Sequence, residues 1–131
     1  MKQILLDTTA IIDYLRGNKE IIDVIDAFDG EINSSYLCLA ELYEGVYRSP
    51  NSDKVEKRIG SFFSTLSVVY ALDREICKTF GCLRSTLNKA GIRIEDIDIF
   101  IAATCIAHNA SLVTRNIKHF SRIKGLKVIG Y

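Results

Sequence analysis

One proline, no tryptophan and no long apolar run mark this 131-residue chain. The missing run excludes a membrane-spanning helix, which needs roughly 20 consecutive apolar residues. Scarce proline excludes a proline-rich linker. The single Pro50, in "RSPNSD", reads as a turn between two helical stretches. Repeats and low-complexity segments are absent too, so one domain over residues 1–131 is expected, of ordinary globular composition at 48% hydrophobic and 25% charged residues. Met1-Lys2-Gln3 runs straight into an apolar strand without the charged, apolar and small-residue regions of a signal peptide, so a cytoplasmic location is expected. The four cysteines (Cys38, Cys77, Cys82, Cys105) form no C-x-x-C pair. They read as buried free thiols rather than a zinc site or disulfides. Net charge is only +1, which excludes a globally basic nucleic-acid binder. Yet no acid follows Asp98, while Arg115, Lys118, Arg122, Lys124 and Lys127 do. That basic end either faces phosphates or is a solvated surface.

What is present alternates between strand and helix. "QILL" (3–6) is a strand, followed by helices near 9–15 and 18–28. A strand near 31–35 precedes helices near 36–47 and 51–65, the latter with Val55, Ile59 and Phe62/Phe63 on one side. A strand over 66–71 leads to Asp73, the expected N-cap of a long helix ended by Gly91, with Ile76, Phe80, Leu83 and Leu87 as its inner stripe. A helix over 97–109, a strand at 111–114, a short basic helix or turn at 117–122 and a last strand in "LKVIG" complete the order. Strands separated by helices predict an α/β fold, a central mostly parallel sheet with helices on both faces.

Several acids stand in unusual places. Asp7 closes the apolar strand Ile4-Leu5-Leu6. It either caps the next helix or directly precedes a Thr8 or Thr9 cap, or it does chemistry at the C-terminal end of a parallel strand, where such sheets bind ligands. Asp13, three residues before Arg16, reads as an exposed helical ion pair. Glu41 follows the apolar Leu37-Cys38-Leu39-Ala40, and a charge inside such a run is costly unless paired or on metal. Glu44 reads as solvated. Asp98 opens a helix in which every other residue from Ile97 to Ala107 except Thr104 is apolar. The helix dipole tolerates one anion there, but Glu95, Asp96 and Asp98 together exceed that need. Asp96 is the expected N-cap. Asp7, Glu41 and Asp98, with Asn116 as a fourth oxygen donor, form a hard-oxygen set suited to Mg2+ or Mn2+ and hence to phosphodiester hydrolysis. His108 and His119 do not read as a catalytic pair. Tyr43, Val46 and Tyr47 are either a dimer face or core.

The motifs "LLDTTAIIDYLRG", "AELYEG", "DIDIFIAA" and "SLVTRNIKHFSRIKGLKVIGY" resemble, in order and spacing over essentially the whole chain, the PIN-domain family and within it the VapC toxins of toxin–antitoxin modules. The resemblance implies a Mg2+- or Mn2+-dependent ribonuclease with Asp7, Glu41 and Asp98 as the acidic site. Asn116 stands where the family often has Asp, which removes one negative charge. Asp96 is then either an accessory acid or only a cap, and Thr8 and Thr114 orient the carboxylates. Arg16, Arg115 and Lys118 become candidates for RNA phosphates. The resemblance also implies a homodimer, neutralised by a small VapB-like antitoxin in a heterotetramer or larger assembly. A housekeeping PIN nuclease and a non-catalytic PIN binding module are the alternatives. A response-regulator receiver is disfavoured, because the expected acceptor Asp and late-strand Lys are not where that fold needs them.

Overall fold

The computed structural model describes residues 2–131. Its elements are β1 (Gln3–Leu6), α1 (Thr8–Leu15), α2 (Lys19–Ala27), β2 (Glu31–Ser35), α3 (Tyr36–Arg48), α4 (Ser52–Ser64), β3 (Val69–Tyr70), α5 (Arg74–Lys89), α6 (Asp96–Ala107), β4 (Ser111–Val113), α7 (Ile117–Phe120) and β5 (Val128–Ile129). Among the described residues the five strands make one sheet in the order β3-β2-β1-β4-β5, and every pairing is parallel. Successive strand residues point to opposite faces. Ile4, Leu5 and Leu6 are nevertheless all 0% exposed, so both faces of β1 are covered. Leu112 and Val113 say the same of β4. Truncating one such side chain to Ala would cost about 2–5 kcal/mol.

Local signals set the boundaries. Asn18, Ser35 and Asp73 each cap a helix through a side-chain oxygen that accepts a backbone N–H. Gly91 (φ +70°) ends α5 in the left-handed region, and the Ile92 N–H turns back to the Leu87 carbonyl at 2.9 Å. The edge strands β3 and β5 are two residues each, shorter than the 66–71 and "LKVIG" expectations, because an edge strand is paired on one side only. α5 buries Ile76 and Leu87 and half-buries Phe80 and Leu83. Phe80 stacks on Phe100 of α6 at 3.9 Å. The thiol expectation divides: Cys38 and Cys105 are buried, whereas Cys77 and Cys82 lie on the exposed side of α5. All four are free. Val46 belongs to the core at 1% exposure, while Tyr47 is 76% exposed.

Candidate active site

Strands β1 and β4 are neighbours, and the chain leaves them in opposite directions, towards β2 and towards β5. This is a topological switch point, the place where an open parallel sheet leaves a crevice beyond its strand ends. Leu6 is paired with Val113, so Asp7 and Thr114 come next on the two strands. The Asp7 N–H continues the ladder to the Val113 carbonyl at 3.2 Å.

Asp7 is the N-cap of α1, a role the sequence left open between it and the threonines. Its Oδ1 accepts from the Ala10 N–H and from the Thr9 hydroxyl, each at 2.8 Å. At 4% exposure the carboxyl pays for burial, and its pKa rises from 3.8. Burial is the largest cause; the Thr114 hydroxyl, the Ala10 amide and Thr9 work against it, and the Asp98 charge adds to it. Thr114 is fully buried, and its Oγ1 accepts the Asn116 N–H at 3.0 Å.

Glu41 comes from α3, where Cys38, Leu42 and Val46 face the core at helical spacing. Glu41 lies beside that stripe and is half-buried, and Ala40 before it is exposed. The apolar run therefore did not bury Glu41 as deeply as its sequence suggested. Its Oε1 accepts from Thr8 Oγ1 at 2.6 Å. Its pKa is raised, first by burial and then by the charges of Asp98, Asp7 and Glu44, with the Thr8 hydrogen bond opposing. Asp98 comes from the first turn of α6, a helix otherwise buried through Ile99 and Ile101–Cys105. Three elements thus bring Asp7, Glu41 and Asp98 close enough that the Asp98 charge adds to the rise at both Asp7 and Glu41. Among the described residues no three His, Cys, Asp or Glu side chains close to metal-ligand distance. The group is an open set of carboxylates rather than a cage.

The remaining residues divide. Asn116 is exposed at the same sheet edge and its side chain caps nothing. Asp96 is not the N-cap: Glu95 precedes α6, Asp96 is its first residue, and Arg84 of α5 hydrogen-bonds the Asp96 carboxylate. Asp13 is not an exposed ion pair with Arg16. It is 5% exposed and accepts from Arg115 Nη1 at 3.0 and 3.1 Å and from the Tyr131 hydroxyl at 2.6 Å. Residues 102 and 118 positions away supply those partners, which helix spacing could not reveal. The Tyr131 pKa is raised by burial and by this bond. Arg16 is exposed and lines a cleft of about 450 Å3 with Thr8, Glu41, Arg48 and Arg58. Lys118 is exposed on α7. The sequence reading missed His119, whose Nε2 lies 2.8 Å from Asp98 Oδ2. The available signal was its spacing, one helical turn after Asn116.

A parallel α/β sheet with three carboxylates gathered at its switch point defines a class of acidic-site α/β proteins. Comparison with known families narrows the class. Residues 4–126 match the PIN domain family model. Ribonuclease VapC1 of Methanocaldococcus jannaschii is 32% identical over 128 residues, 96% of this chain and 86% of that protein. The chain belongs to the PIN-domain family, in its VapC branch. Among solved structures, VapBC2 from Rickettsia felis, bound to a DNA fragment from its promoter, superimposes with a TM-score of 0.92 at 28% identity over 98% of both chains. VapBC-1 from nontypeable Haemophilus influenzae gives 0.86 at 31% identity, over 98% of this chain and 97% of that one.

Proposed function

We infer that this protein is a metal-dependent endoribonuclease toxin that hydrolyses phosphodiester bonds in tRNA or ribosomal RNA and is neutralised by a VapB-type antitoxin. One observation carries the reading: carboxylates from β1–α1, α3 and α6 meet at the sheet's switch point with the pKa of Asp7 and Glu41 raised. Like charges held together in this way are relieved by a cation. The donor set fits Mg2+ or Mn2+, since Mg2+ takes one or two carboxylates and completes its shell with water and phosphate oxygens. Asp7, Glu41 and Asp98 would hold it, with Asn116 as a further oxygen donor; Asp96, already on Arg84, is left out of the set. When bound, the cation supplies an activated water and charge stabilisation at the phosphoryl oxygens.

The chain's own groups do the positioning. Thr8 holds one oxygen of Glu41, and the first turn of α1 holds one oxygen of Asp7. Arg16, at the cleft beside Glu41, and Lys118 on α7 are placed to bind phosphates. Arg115 spends Nη1 on Asp13 and keeps Nε and Nη2 for a phosphate. The antitoxin is read as covering the same cleft and placing a basic side chain among the acids, with the toxin as a homodimer and the complex a heterotetramer or larger. Incubation of antitoxin-free protein with pooled tRNA and ribosomal RNA, in Mg2+, Mn2+ or EDTA and beside Asp98→Asn, tests the reading. Discrete fragments that need metal and vanish in the variant are expected. Equal cutting by Asp98→Asn would remove the assigned role.

A further inference from the structure

The short helix α7 makes a contact that the three acids do not account for. Phe120, 2% exposed, anchors α7 in the core, and the His119 ring meets it edge-on at 5.1 Å. His119 reaches α6 from there, with Nε2 2.8 Å from Asp98 Oδ2. Arg122 closes the other side of the ring: its Nη2 lies 2.8 Å from Nδ1, and its Nε donates to the His119 carbonyl oxygen at 3.1 Å. A guanidinium has donors and no acceptor. Nδ1 must therefore accept, and the ring N–H sits on Nε2 and donates to Asp98. Arg122 thus sets the tautomer that Asp98 receives.

Asp98 needs such a restraint. Its side chain is 28% exposed, in the first turn of a helix, and Oδ1 has no hydrogen-bond partner among the described residues. We propose that His119, held as the Nε2–H tautomer by Arg122, is a positioning residue that fixes Asp98 through Oδ2 and leaves Oδ1 for the cation. The proposal rests on the metal-site reading above. Groups that orient a ligating carboxylate in this way typically change metal affinity about 10–100-fold when removed.

Calorimetric titration of Mn2+ into the antitoxin-free full chain tests it, at fixed pH, with metal-free thermal unfolding of each variant alongside. His119→Ala should bind Mn2+ about tenfold more weakly. His119→Gln, whose amide N–H can reach where Nε2 stood, should recover most of that loss. Arg122→Ala keeps the imidazole, lies on the surface and should weaken binding a few-fold at unchanged metal-free stability. It decides the matter should His119→Ala fold poorly. Wild-type Mn2+ affinity in both Arg122→Ala and His119→Ala would overturn this inference and leave the metal site standing. Absence of Mn2+ uptake by the wild type itself would overturn both.

Discussion

Asp7 and Asp73 occupy the same local position. Each ends an apolar stretch, "LLD" and "ALD", and each caps the helix that follows by accepting the N–H three residues on at 2.8 Å. Their pKa values nevertheless move in opposite directions. Asp73 is exposed, and its carboxyl is lowered by the Ile76 N–H and by His108, whose Nε2 lies 2.8 Å from Oδ2. Asp7 keeps the same cap but is buried beside Asp98, and burial outweighs the hydrogen bonds. A cap at the sheet's outer edge is a satisfied structural element. The same cap at the switch point between β1 and β4 is a carboxylate whose charge is disfavoured first by burial and then by Asp98, and that residual cost is what a cation can relieve.

The sharpest way to break this comparison is to swap each acid for its amide. Asn caps helices about as well as Asp. Asp7→Asn should therefore keep α1 and lose metal-dependent cleavage by at least ~100-fold, beyond the effect of an outer-sphere partner. Asp73→Asn should cleave at the wild-type rate. Fragment yield against time on a tRNA and ribosomal RNA pool measures both.

A third acid sharpens the contrast. Asp13 is as buried as Asp7 but has Arg115 and Tyr131 on it. Its role is structural, so Asp13→Ala should lower unfolding free energy by about 1–3 kcal/mol in urea. The lower part of that range is expected, since the freed Arg115, already 56% exposed, returns to water.

Acid titration separates the two caps more gently. Asp7 has a folded-state pKa above its ordinary 3.8, so the native state binds more protons than the unfolded one between those values. Its contribution therefore falls as pH rises through that window, and Glu41 behaves likewise above 4.5. Asp73 has a lowered pKa, so its contribution is present above 3.8 and lost as pH falls through the folded value. Unfolding free energies measured from about pH 3 to pH 8 should show the rising-pH loss in wild type and less of it in Asp7→Asn. Asp73→Asn should leave that loss unchanged. The smallest expected effect is on RNA affinity: Arg16→Ala should reduce the slope of log K against log salt by about one phosphate contact, read by fluorescence anisotropy over a salt series.

Much of the architecture was legible along the chain. Apolar runs marked β1 and β4, polar caps marked helix starts, and Gly91 marked a helix end, because those signals act within a few residues. The acid ending β1 also pointed to the C-terminal edge of a parallel sheet, and the crowding of acids at the head of α6 to a role beyond balancing the helix dipole. Glu41 was picked out through a burial argument that overstated its depth, since neighbouring helical residues face different ways. Asp13 was misread because its partners lie just beyond β4 and at residue 131. His119 was set aside because nothing within a turn of it names Asp98.

By itself, then, the sequence determined the order and type of the elements, the Asp73 cap and Gly91 end of α5, the buried central strands and the family to which they belong. These follow from spacing, propensity and hydrogen-bonding capacity along a short stretch of chain. Only the tertiary structure decided which capping aspartate is crowded by other carboxylates, which buried aspartate is neutralised by an arginine, and which histidine meets Asp98. Electrostatic energy depends on distance and burial in space, and residues 7, 41, 98 and 119 become neighbours only when the strand order 3-2-1-4-5 brings their elements to one edge.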